Sequence, residues 1–390
     1  MAILSVNAGS STLKFSLHPL RHGQVQPVLL TGKIQGLEPG GAPELSWTYE
    51  GQSRRHGEPS RSFSHALTSL RELLESLPHV PAIRAVAHRV VHGGESFSAS
   101  VVVDDAVLTD LARFNSLAPL HQPHNLEGIR AFAKVYPLLP QIACFDTAYH
   151  TTIPAVARAF ALPAAVTDLG VRRYGFHGLS YQYIMQTLLD RTPDARGRVL
   201  MAHLGNGASL CAAIDGKSCG TTMGFSTLDG LMMGTRSGTL DAGVLLYLLE
   251  QGWDHKRLER LLYKESGLLG VSGISADMRR LRADGSEPAR RAIEQFSYRV
   301  LREAGALVAC MGGLDMLAFS GGIGEHDVQL RQEVGDALAW MGMSIDPSLN
   351  ARATGDAVLA IHQPNSRVQV WVVPTNEGLV AAREAATLLG

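Results

Sequence analysis

Two arginines of this 390-residue chain lie among small and apolar residues, where burying an unpaired guanidinium is costly. Arg89 stands within residues 88–95, and Arg236 stands within residues 233–238. The anionic partner of each arginine is either a structural carboxylate or a bound anion, and the residues leave both alternatives open. Because 35 Lys and Arg balance 36 Asp and Glu, no broad basic surface would collect anions or nucleic acid. Any bound anion therefore depends on a few local groups.

Three segments rich in glycine or hydroxyl residues could bind phosphate or a nucleotide. Residues 7–12 and residues 203–209 each form a turn between two predicted strands. Such turns point N–H and O–H donors at one spot, which suits phosphate oxygens or a hydrated metal. Residues 320–326 place glycines between a predicted strand and a predicted helix, where an adenine or ribose can lie against backbone. Each segment alone could equally be an ordinary turn, but together they would surround a nucleotide.

Other sequence motifs that could carry chemistry are incomplete or absent. Residues 203–209 lack the third glycine and the following helix of a dinucleotide-binding fingerprint. Residues 216–218 read Gly-Lys-Ser, but Cys211 stands where a Walker loop needs its first glycine. The four cysteines form no CxxC pair, so neither disulfides nor a structural metal is expected, and the compartment should be reducing. With no basic leader and no apolar run near 18 residues, we expect a cytoplasmic protein without a membrane partner.

Histidines and one aspartate complete the candidate set. Asp146 follows the apolar run 142–145, so it is predicted at the carboxyl end of a strand, where open α/β sheets place ligand-binding groups. His121 and His177 lie beside apolar residues and turns. A histidine in such a place is either a packed core residue or a catalytic group.

Alternating β and α patterns position these residues, which predicts α/β domains. Strands are predicted at residues 3–7, 14–18, 142–145, 199–203, 316–320 and 368–373. Helices are predicted at residues 63–77, 125–136, 180–191, 254–264, 287–310 and 327–341. Residues 38–58 are predicted as a surface excursion, and a domain boundary is expected near residues 146–154. The strand–turn–strand segments 6–13 and 202–210 resemble each other, which indicates either two related halves or chance hairpin chemistry.

Nine ordered segments make the chain resemble the acetate kinase family, within the superfamily of acetate and sugar kinases, heat-shock chaperones and actin. They are residues 7–15, 88–95, 118–121, 145–150, 172–178, 203–207, 233–238, 320–325 and 374–377. The resemblance implies a two-lobed, duplicated actin-like (ribonuclease H-like) α/β fold with the active site in the interlobe cleft. Residues 1–148 and 376–390 would form the N-terminal lobe with the metal and phosphate turn and part of the acyl site. Residues 149–375 would form the C-terminal lobe, with the nucleotide site and dimer contacts.

The resemblance also implies a role for each matching residue. The catalytic group would be Arg89, His121, Asp146, His177 and Arg236. The nucleotide would contact Ser10, Thr12, Lys14, His203, Leu204, Gly205, Asn206, Gly207, Asp277, Met278, Arg279, Gly322, Ile323, Gly324 and His326. The acyl group would contact Arg89, Val91, Leu120, Phe176 and Thr227. Asn7 and Glu377 would hold Mg²⁺, or Mn²⁺ in its place.

The implied reaction is reversible, magnesium-dependent, in-line phosphoryl transfer between ATP and acetate, carried out by a homodimer. Acetate is already ionised at pH 7, because its pKa lies near that of a glutamate side chain, roughly 4 to 5. The obstacle is repulsion, since two unit charges ~4 Å apart repel by about 4 kcal/mol at an effective dielectric constant of 20. A cluster of positive groups should therefore matter more than a proton acceptor.

Several positions depart from the family pattern and leave alternatives open. His326 stands where the family usually has asparagine, Thr227 where many members have proline, and Tyr181 where histidine is common. Propionate or butyrate kinase activity therefore stays open, as does the nucleotide preference. A sugar or polyol kinase would need Asp146 as a base, and a chaperone-like or actin-like binding module would not need the two arginines.

Overall fold

The computed structural model of the chain describes residues 1–9, 11–37, 41–57, 62–119 and 121–390. These residues form two compact units: Met1–Ala148 with Asn376–Gly390, and Tyr149–Thr375. Ser10 and Leu120, two of the candidate site residues, lie outside the described residues. What each unit binds stays a prediction.

The described part of the chain contains fifteen strands. They are β1 (Ala2–Ala8), β2 (Thr12–Arg21), β3 (Gln24–Val25), β4 (Leu30–Gln35), β5 (Glu44–Tyr49), β6 (Gln52–Gly57), β7 (Ile83–Val90), β8 (Val101–Val102), β9 (Gln141–Phe145), β10 (Arg198–Leu204), β11 (Ala208–Ile214), β12 (Lys217–Thr221), β13 (Met316–Ser320), β14 (Leu359–Ala360) and β15 (Gln369–Val372). All six predicted strands are confirmed, as β1, β2, β9, β10, β13 and β15.

The same part of the chain contains fifteen α-helices. They are α1 (Phe63–Ser76), α2 (Asp105–Ala112), α3 (Gln122–Val135), α4 (Ala155–Arg158), α5 (Ala164–Thr167), α6 (Gly178–Leu189), α7 (Ala242–Glu250), α8 (His255–Lys264), α9 (Gly267–Ser272), α10 (Met278–Asp284), α11 (Glu287–Met311), α12 (Gly321–His326), α13 (Val328–Ala337), α14 (Pro347–Arg352) and α15 (Glu377–Leu389). Short 3₁₀ helices lie at Ala148–Thr152, Pro193–Arg196 and Ala339–Met341. None of these helices combines the length and the apolar composition that crossing a lipid bilayer demands.

The first unit is built on one sheet with the strand order β6-β5-β4-β2-β1-β7-β9-β8, and β3 pairs with β2. β1 is antiparallel to β2 and parallel to β7, which is in turn parallel to β9. The carboxyl ends of β1, β7 and β9 therefore lie at one edge of the sheet. Asn7, Arg89 and Asp146 stand at or next to those three ends.

Helices cover both faces of β1, which explains why this strand is an almost unbroken apolar run. Leu4 and Val6 pack in a cluster with Leu70 of α1 and Phe132 of α3. On the other face, the Ser5 hydroxyl donates to the carbonyl of Gly378 in α15 at 2.7 Å. Each fully buried leucine or valine stabilises the fold by roughly 1.5–3 kcal/mol.

The second unit contains a six-stranded sheet with the order β12-β11-β10-β13-β15-β14. β10 is antiparallel to β11 and parallel to β13, and β13 is parallel to β15. The four strands β11-β10-β13-β15 thus repeat the order and directions of β2-β1-β7-β9. The two similar hairpins seen in the sequence, β1–β2 and β10–β11, occupy equivalent places in this duplicated α/β fold.

One prediction is wrong in part. Residues 44–57 of the expected surface excursion form the hairpin of β5 and β6. Leu45 and Tyr49 of β5 are 5% and 7% exposed, whereas β6 is exposed along its whole length. Only a few apolar side chains of this edge hairpin enter the core, so the polar and glycine-rich composition hid its alternation.

Candidate active site

Arg89 of β7 pairs with two carboxylates inside the first unit. Its Nε and Nη2 donate to Oδ1 and Oδ2 of Asp146 at 3.0 and 2.6 Å, and its Nε lies 3.4 Å from Oε2 of Glu377. Burial alone would lower the pKa of Arg89, but the two carboxylates more than offset this effect and raise it. The two-point contact with the buried Asp146 fixes the plane of the guanidinium.

Of the two alternatives for the partner of Arg89, the structural carboxylate is the one observed. Asp146 lies 57 residues from Arg89 in sequence, and no local pattern joined them. The β7–β9 register joins them, because Val90 pairs with Phe145 and brings the two strand ends side by side. Among the described residues, no hydrogen bond uses Nη1 of Arg89, so the guanidinium keeps a donor for a second anion.

The predicted metal ligand Asn7 lies at the carboxyl end of β1, and the other, Glu377, begins α15, which packs on this strand. The bond from Ser5 to Gly378 holds the start of α15, and therefore Glu377, against this strand. Asn7 lies two residues after Ser5 on the same face, and its cross-strand partner is Lys14. Amide and carboxylate oxygens are ligands that Mg²⁺ accepts, so these residues fit the ion.

The described residues contain no group of three or more His, Cys, Asp or Glu side chains that could hold a metal ion. A cation at Asn7 and Glu377 would therefore need further ligands from water or from a bound phosphate. Mg²⁺ commonly binds in this way, through one or two carboxylates together with substrate phosphates. Thr12, two residues before Lys14, lies on the same face of β2 as Lys14.

Two buried amides of α3 hold the backbone around the predicted acyl pocket. Asn125 accepts the N–H of Val91 at 3.0 Å and donates to the carbonyl of Ala8 at 2.8 Å, which ties the ends of β7 and β1 together. Gln122 pairs with both backbone groups of His92, at 3.1 and 2.9 Å. Sequence reasoning missed both amides, although polar residues at the spacing of the apolar face of an amphipathic helix are a usable signal. His121 precedes them, at the start of α3.

In the second unit, two candidate histidines stack on each other. The rings of His177 and His203 lie 4.4 Å apart between centroids, with an interplanar angle of 29°. Nδ1 of His177 is 2.9 Å from Oγ of Ser209, and Nδ1 of His203 is 2.8 Å from Oγ of Ser180. His177 has a left-handed backbone, with φ 59°, at the start of α6. The stack and the two hydroxyls leave each ring little freedom to rotate.

The glycine turn after β10 lies beside His177 and Arg236. A Cβ built on Gly207 would be 3.4 Å from Nε2 of His177 and 3.9 Å from Nη1 of Arg236. Arg236 also donates to the carbonyl of Thr227 at 3.3 Å. The carbonyl of Asn206 accepts the N–H of Gly234 at 3.0 Å, which ties the turn to the segment that carries Arg236. Three predicted site segments therefore meet within one unit.

The third glycine segment adjoins the same turn. A Cβ on Gly321, where φ is 75°, would come 2.7 Å from the carbonyl oxygen of Leu204, so only glycine fits there. The amide nitrogen of Gly322 lies 3.8 Å from the position of a Cβ on Gly205. Glu325 accepts the N–H of Gly321 at 2.8 Å and stabilises this junction. The junction is itself the short helix α12, which begins before the helix predicted from residue 327.

The remaining nucleotide candidates have evident structural roles as well. Asp277 caps α10 by accepting the N–H of Arg279 at 2.9 Å, and its ion pair with Arg279 lowers the pKa of Asp277. The side chain of Met278 is buried, so only its backbone could reach a ligand. His326 ends α12 and lies against Gly355, and Ile323 and Gly324 lie inside α12.

The acyl-pocket candidates Phe176, Thr227 and Val91 are all buried. Their binding roles stay predictions.

Comparisons with known proteins identify the family of this chain. The model of the acetokinase family matches residues 2–383. An acetate kinase of Rhodopseudomonas palustris is 48% identical over 388 residues, which cover 98% of this chain and 96% of that protein. A crystal structure of a propionate kinase from Francisella tularensis has a TM-score of 0.89 at 36% identity, covering 98% of both chains. The acetate kinase structure from Porphyromonas gingivalis has a TM-score of 0.88 at 35% identity, covering 100% of both chains. With a family match over nearly its whole length, this chain belongs to the acetokinase family.

Proposed function

We propose that this protein is an acetate kinase, which transfers a phosphoryl group reversibly between ATP and acetate, with ADP and acetyl phosphate on the other side. The observation that carries the proposal is the meeting of His177, Arg236 and the Gly205–Gly207 turn within the second unit. The turn offers backbone N–H groups to phosphate oxygens, while the guanidinium and the imidazole offer side-chain donors. The relatives that carry this name, and the family model, support the same conclusion.

The charges of the site favour a carboxylate acceptor over a sugar hydroxyl. A sugar kinase needs a base, and Asp146 is the candidate. Both oxygens of Asp146 accept N–H bonds from Arg89, so a role in proton transfer would require this buried pair to break. An ionised acid substrate needs no base, and Asp146 then serves to orient Arg89.

The proposed roles follow from the donors that each side chain presents. Arg89 binds the acyl carboxylate through Nη1. His177 and Arg236 bind the transferring phosphoryl group, and His121 is a further catalytic group. Asn7 and Glu377 would hold the magnesium ion, which supplies positive charge next to the phosphates. Lys14 and Thr12, with the two glycine segments and the start of α10, would contact the nucleotide.

A second candidate function is propionate kinase activity. It is favoured by the likeness to the propionate kinase structure and by Thr227, which stands where many members of the family have proline. Acetate, propionate and butyrate can be compared in one assay by trapping the acyl phosphate with hydroxylamine. We expect acetate to give the highest kcat/KM. A higher value for propionate would assign the second function, and ATP consumption independent of all three acids would reject both.

The proposal is tested most directly at Arg236. We expect Arg236→Ala to lower kcat by a hundredfold or more, about 2.7 kcal/mol of transition-state stabilisation, with little change in ATP binding. Arg196→Ala is the matched control, because Arg196 is exposed and forms a surface ion pair with Asp215. Wild-type turnover in Arg236→Ala would remove this arginine from the mechanism.

We further propose that the protein works as a homodimer in the cytoplasm. In α7, which has no buried residue, Leu246, Tyr247 and Leu249 are 63%, 58% and 50% exposed, an apolar face that a second copy would cover. Four free thiols suit a reducing compartment. Light scattering should give a dimer mass for the wild type and a monomer mass for Leu246→Glu. Leu138→Glu is the control, since Leu138 is 93% exposed and belongs to the other unit.

A further inference from the structure

A chain of three side chains leads from the protein interior to Nδ1 of His177. Tyr181 and Ser209 are both 0% exposed, and the Tyr181 hydroxyl lies 2.5 Å from Oγ of Ser209. Oγ of Ser209 lies 2.9 Å from Nδ1 of His177, which is 9% exposed. The chain lies wholly within the second unit.

We infer that Tyr181 and Ser209 are positioning residues that hold His177 in the tautomer with its proton on Nε2. In this arrangement the phenol donates to Oγ of Ser209, and the serine hydroxyl donates to Nδ1. The inference rests on the proposed contact between His177 and the transferring phosphoryl group. It assigns to two buried residues the task of keeping that contact a hydrogen bond.

The direction of the chain follows from the count of protons. A neutral imidazole has one N–H, and a phosphoryl oxygen is an acceptor, so Nε2 must carry the proton to bind it. Nδ1 must then accept, and the serine hydroxyl has a single proton to give. The serine oxygen in turn accepts from Tyr181. The reversed chain would point the Nε2 lone pair at an anion.

The surroundings of each group agree with this direction. Burial raises the pKa of Tyr181 well above its usual value, so the phenol keeps its proton at neutral pH and can act as the donor. Nε2 of His177 is the ring atom nearest to Gly207, on the side where Arg236 also lies. The stack on His203 restrains the orientation of the ring.

Helix α6 sets the geometry of the chain through its first turn. The N–H of Tyr181 donates to the carbonyl of His177 at 3.0 Å, so the two residues lie one turn apart. Ser180 on the same turn binds Nδ1 of His203. One helical turn therefore orients both rings of the stack, one of them directly and the other through Ser209.

Kinetics of two variants test the inference. We expect Tyr181→Phe to lower kcat about tenfold and Ser209→Ala to lower it between about tenfold and a hundredfold, with KM for ATP and acetate changed by less than about threefold. The matched control is Tyr149→Phe, since the Tyr149 hydroxyl donates to the carbonyl of Gly216 and its ring packs near Tyr181. This control should keep the wild-type kcat. Wild-type kcat in both Tyr181→Phe and Ser209→Ala would overturn the inference.

A mutant cycle separates this inference from the proposed function. In a His177→Asn background, Tyr181→Phe and Ser209→Ala should cause no further loss, because they act only through His177. If His177→Asn itself keeps wild-type turnover, the proposed role of His177 fails. If His177→Asn loses activity while Tyr181→Phe and Ser209→Ala add their full losses to it, only the positioning role of Tyr181 and Ser209 fails.

Nitrogen NMR of protein labelled with ¹⁵N-histidine reads the tautomer directly. The His177 signals are assigned as those missing from His177→Asn. We expect a protonated Nε2 and an unprotonated Nδ1 in the wild type, and a mixture of the two tautomers in Tyr181→Phe. A wild-type His177 protonated on Nδ1 would overturn the inference, whatever the kinetics show.

Discussion

Gly207 is a single residue whose missing side chain shapes the candidate site. His177 and Arg236 both border the space that a methyl group at this position would fill. Donors that stabilise a phosphoryl group work at about 2.7–3.1 Å from its oxygens. A methyl group there would occupy the space that a ligand oxygen needs.

We predict that Gly207→Ala folds normally but loses at least tenfold in kcat/KM. The methyl would sit 3.4 Å from Nε2 of His177 and 3.9 Å from Nη1 of Arg236, which are tolerable contacts for the fold. Steady-state kinetics and urea unfolding measure the two properties. The control is Gly305→Ala in α11, where a Cβ meets nothing within 4 Å, and which should keep full activity. Full activity of Gly207→Ala would show that ligand atoms stay away from this space.

At the scale of elements, one buried arginine joins α12 to α14. Arg331 of α13 is 0% exposed and donates to the carbonyls of Gly324, Glu325 and Ala353, and to Asn350, at 2.8–2.9 Å. Burial lowers its pKa to about 10, so the guanidinium remains protonated at neutral pH. Arg331 therefore fixes α12, a candidate nucleotide-binding segment, to α14.

We predict that Arg331→Ala lowers the free energy of unfolding by roughly 3–5 kcal/mol, because it leaves several buried acceptors without donors and opens a cavity. Urea unfolding followed by circular dichroism measures the change. Arg352→Ala, at an exposed position of α14, should stay within about 0.5 kcal/mol of the wild type. A loss below about 1 kcal/mol in Arg331→Ala would mean that water replaces the guanidinium.

At the scale of the whole molecule, four buried histidines link stability to pH. Burial lowers the pKa of each to about 4 from 6.5. They are His18, His88 and His92 in the first unit and His150 in the second. Between pH 4 and pH 6.5 the unfolded chain binds more protons than the folded chain. The contribution of these histidines to the free energy of unfolding is therefore complete above pH 6.5 and falls as the pH drops towards 4.

We predict that the urea midpoint is steady above pH 7 and falls steeply between pH 6.5 and pH 4. Each histidine contributes at most about 3 kcal/mol to this loss. His150→Gln should flatten the dependence, because both ring nitrogens of His150 are buried, bonded to Ser218 and to the carbonyl of Phe176. His255→Gln, at an exposed position, is the control. If the urea midpoint of His150→Gln falls with pH as steeply as that of the wild type, His150 does not link stability to pH.

The sequence by itself determined the local structure of this protein, that is, which segments form strands, helices and turns. Short apolar runs predicted β1 and β10, the period of 3.6 residues predicted α1 and α11, and glycine and hydroxyl turns marked the two equivalent hairpins. The family resemblance, and with it the candidate residues, also came from short segments. These features depend on neighbours within a few residues, and a linear sequence displays such neighbours directly.

Tertiary structure alone decided which distant groups are partners. Arg89 pairs with Asp146, Tyr181 reaches Ser209, and Arg331 binds carbonyls of α12 and α14. The edge hairpin of β5 and β6 likewise became visible only through its pairing with β4. Strand order and register bring such groups together, and hydrogen bonds between them form only after the sheets and helices have packed, so no local pattern encodes them.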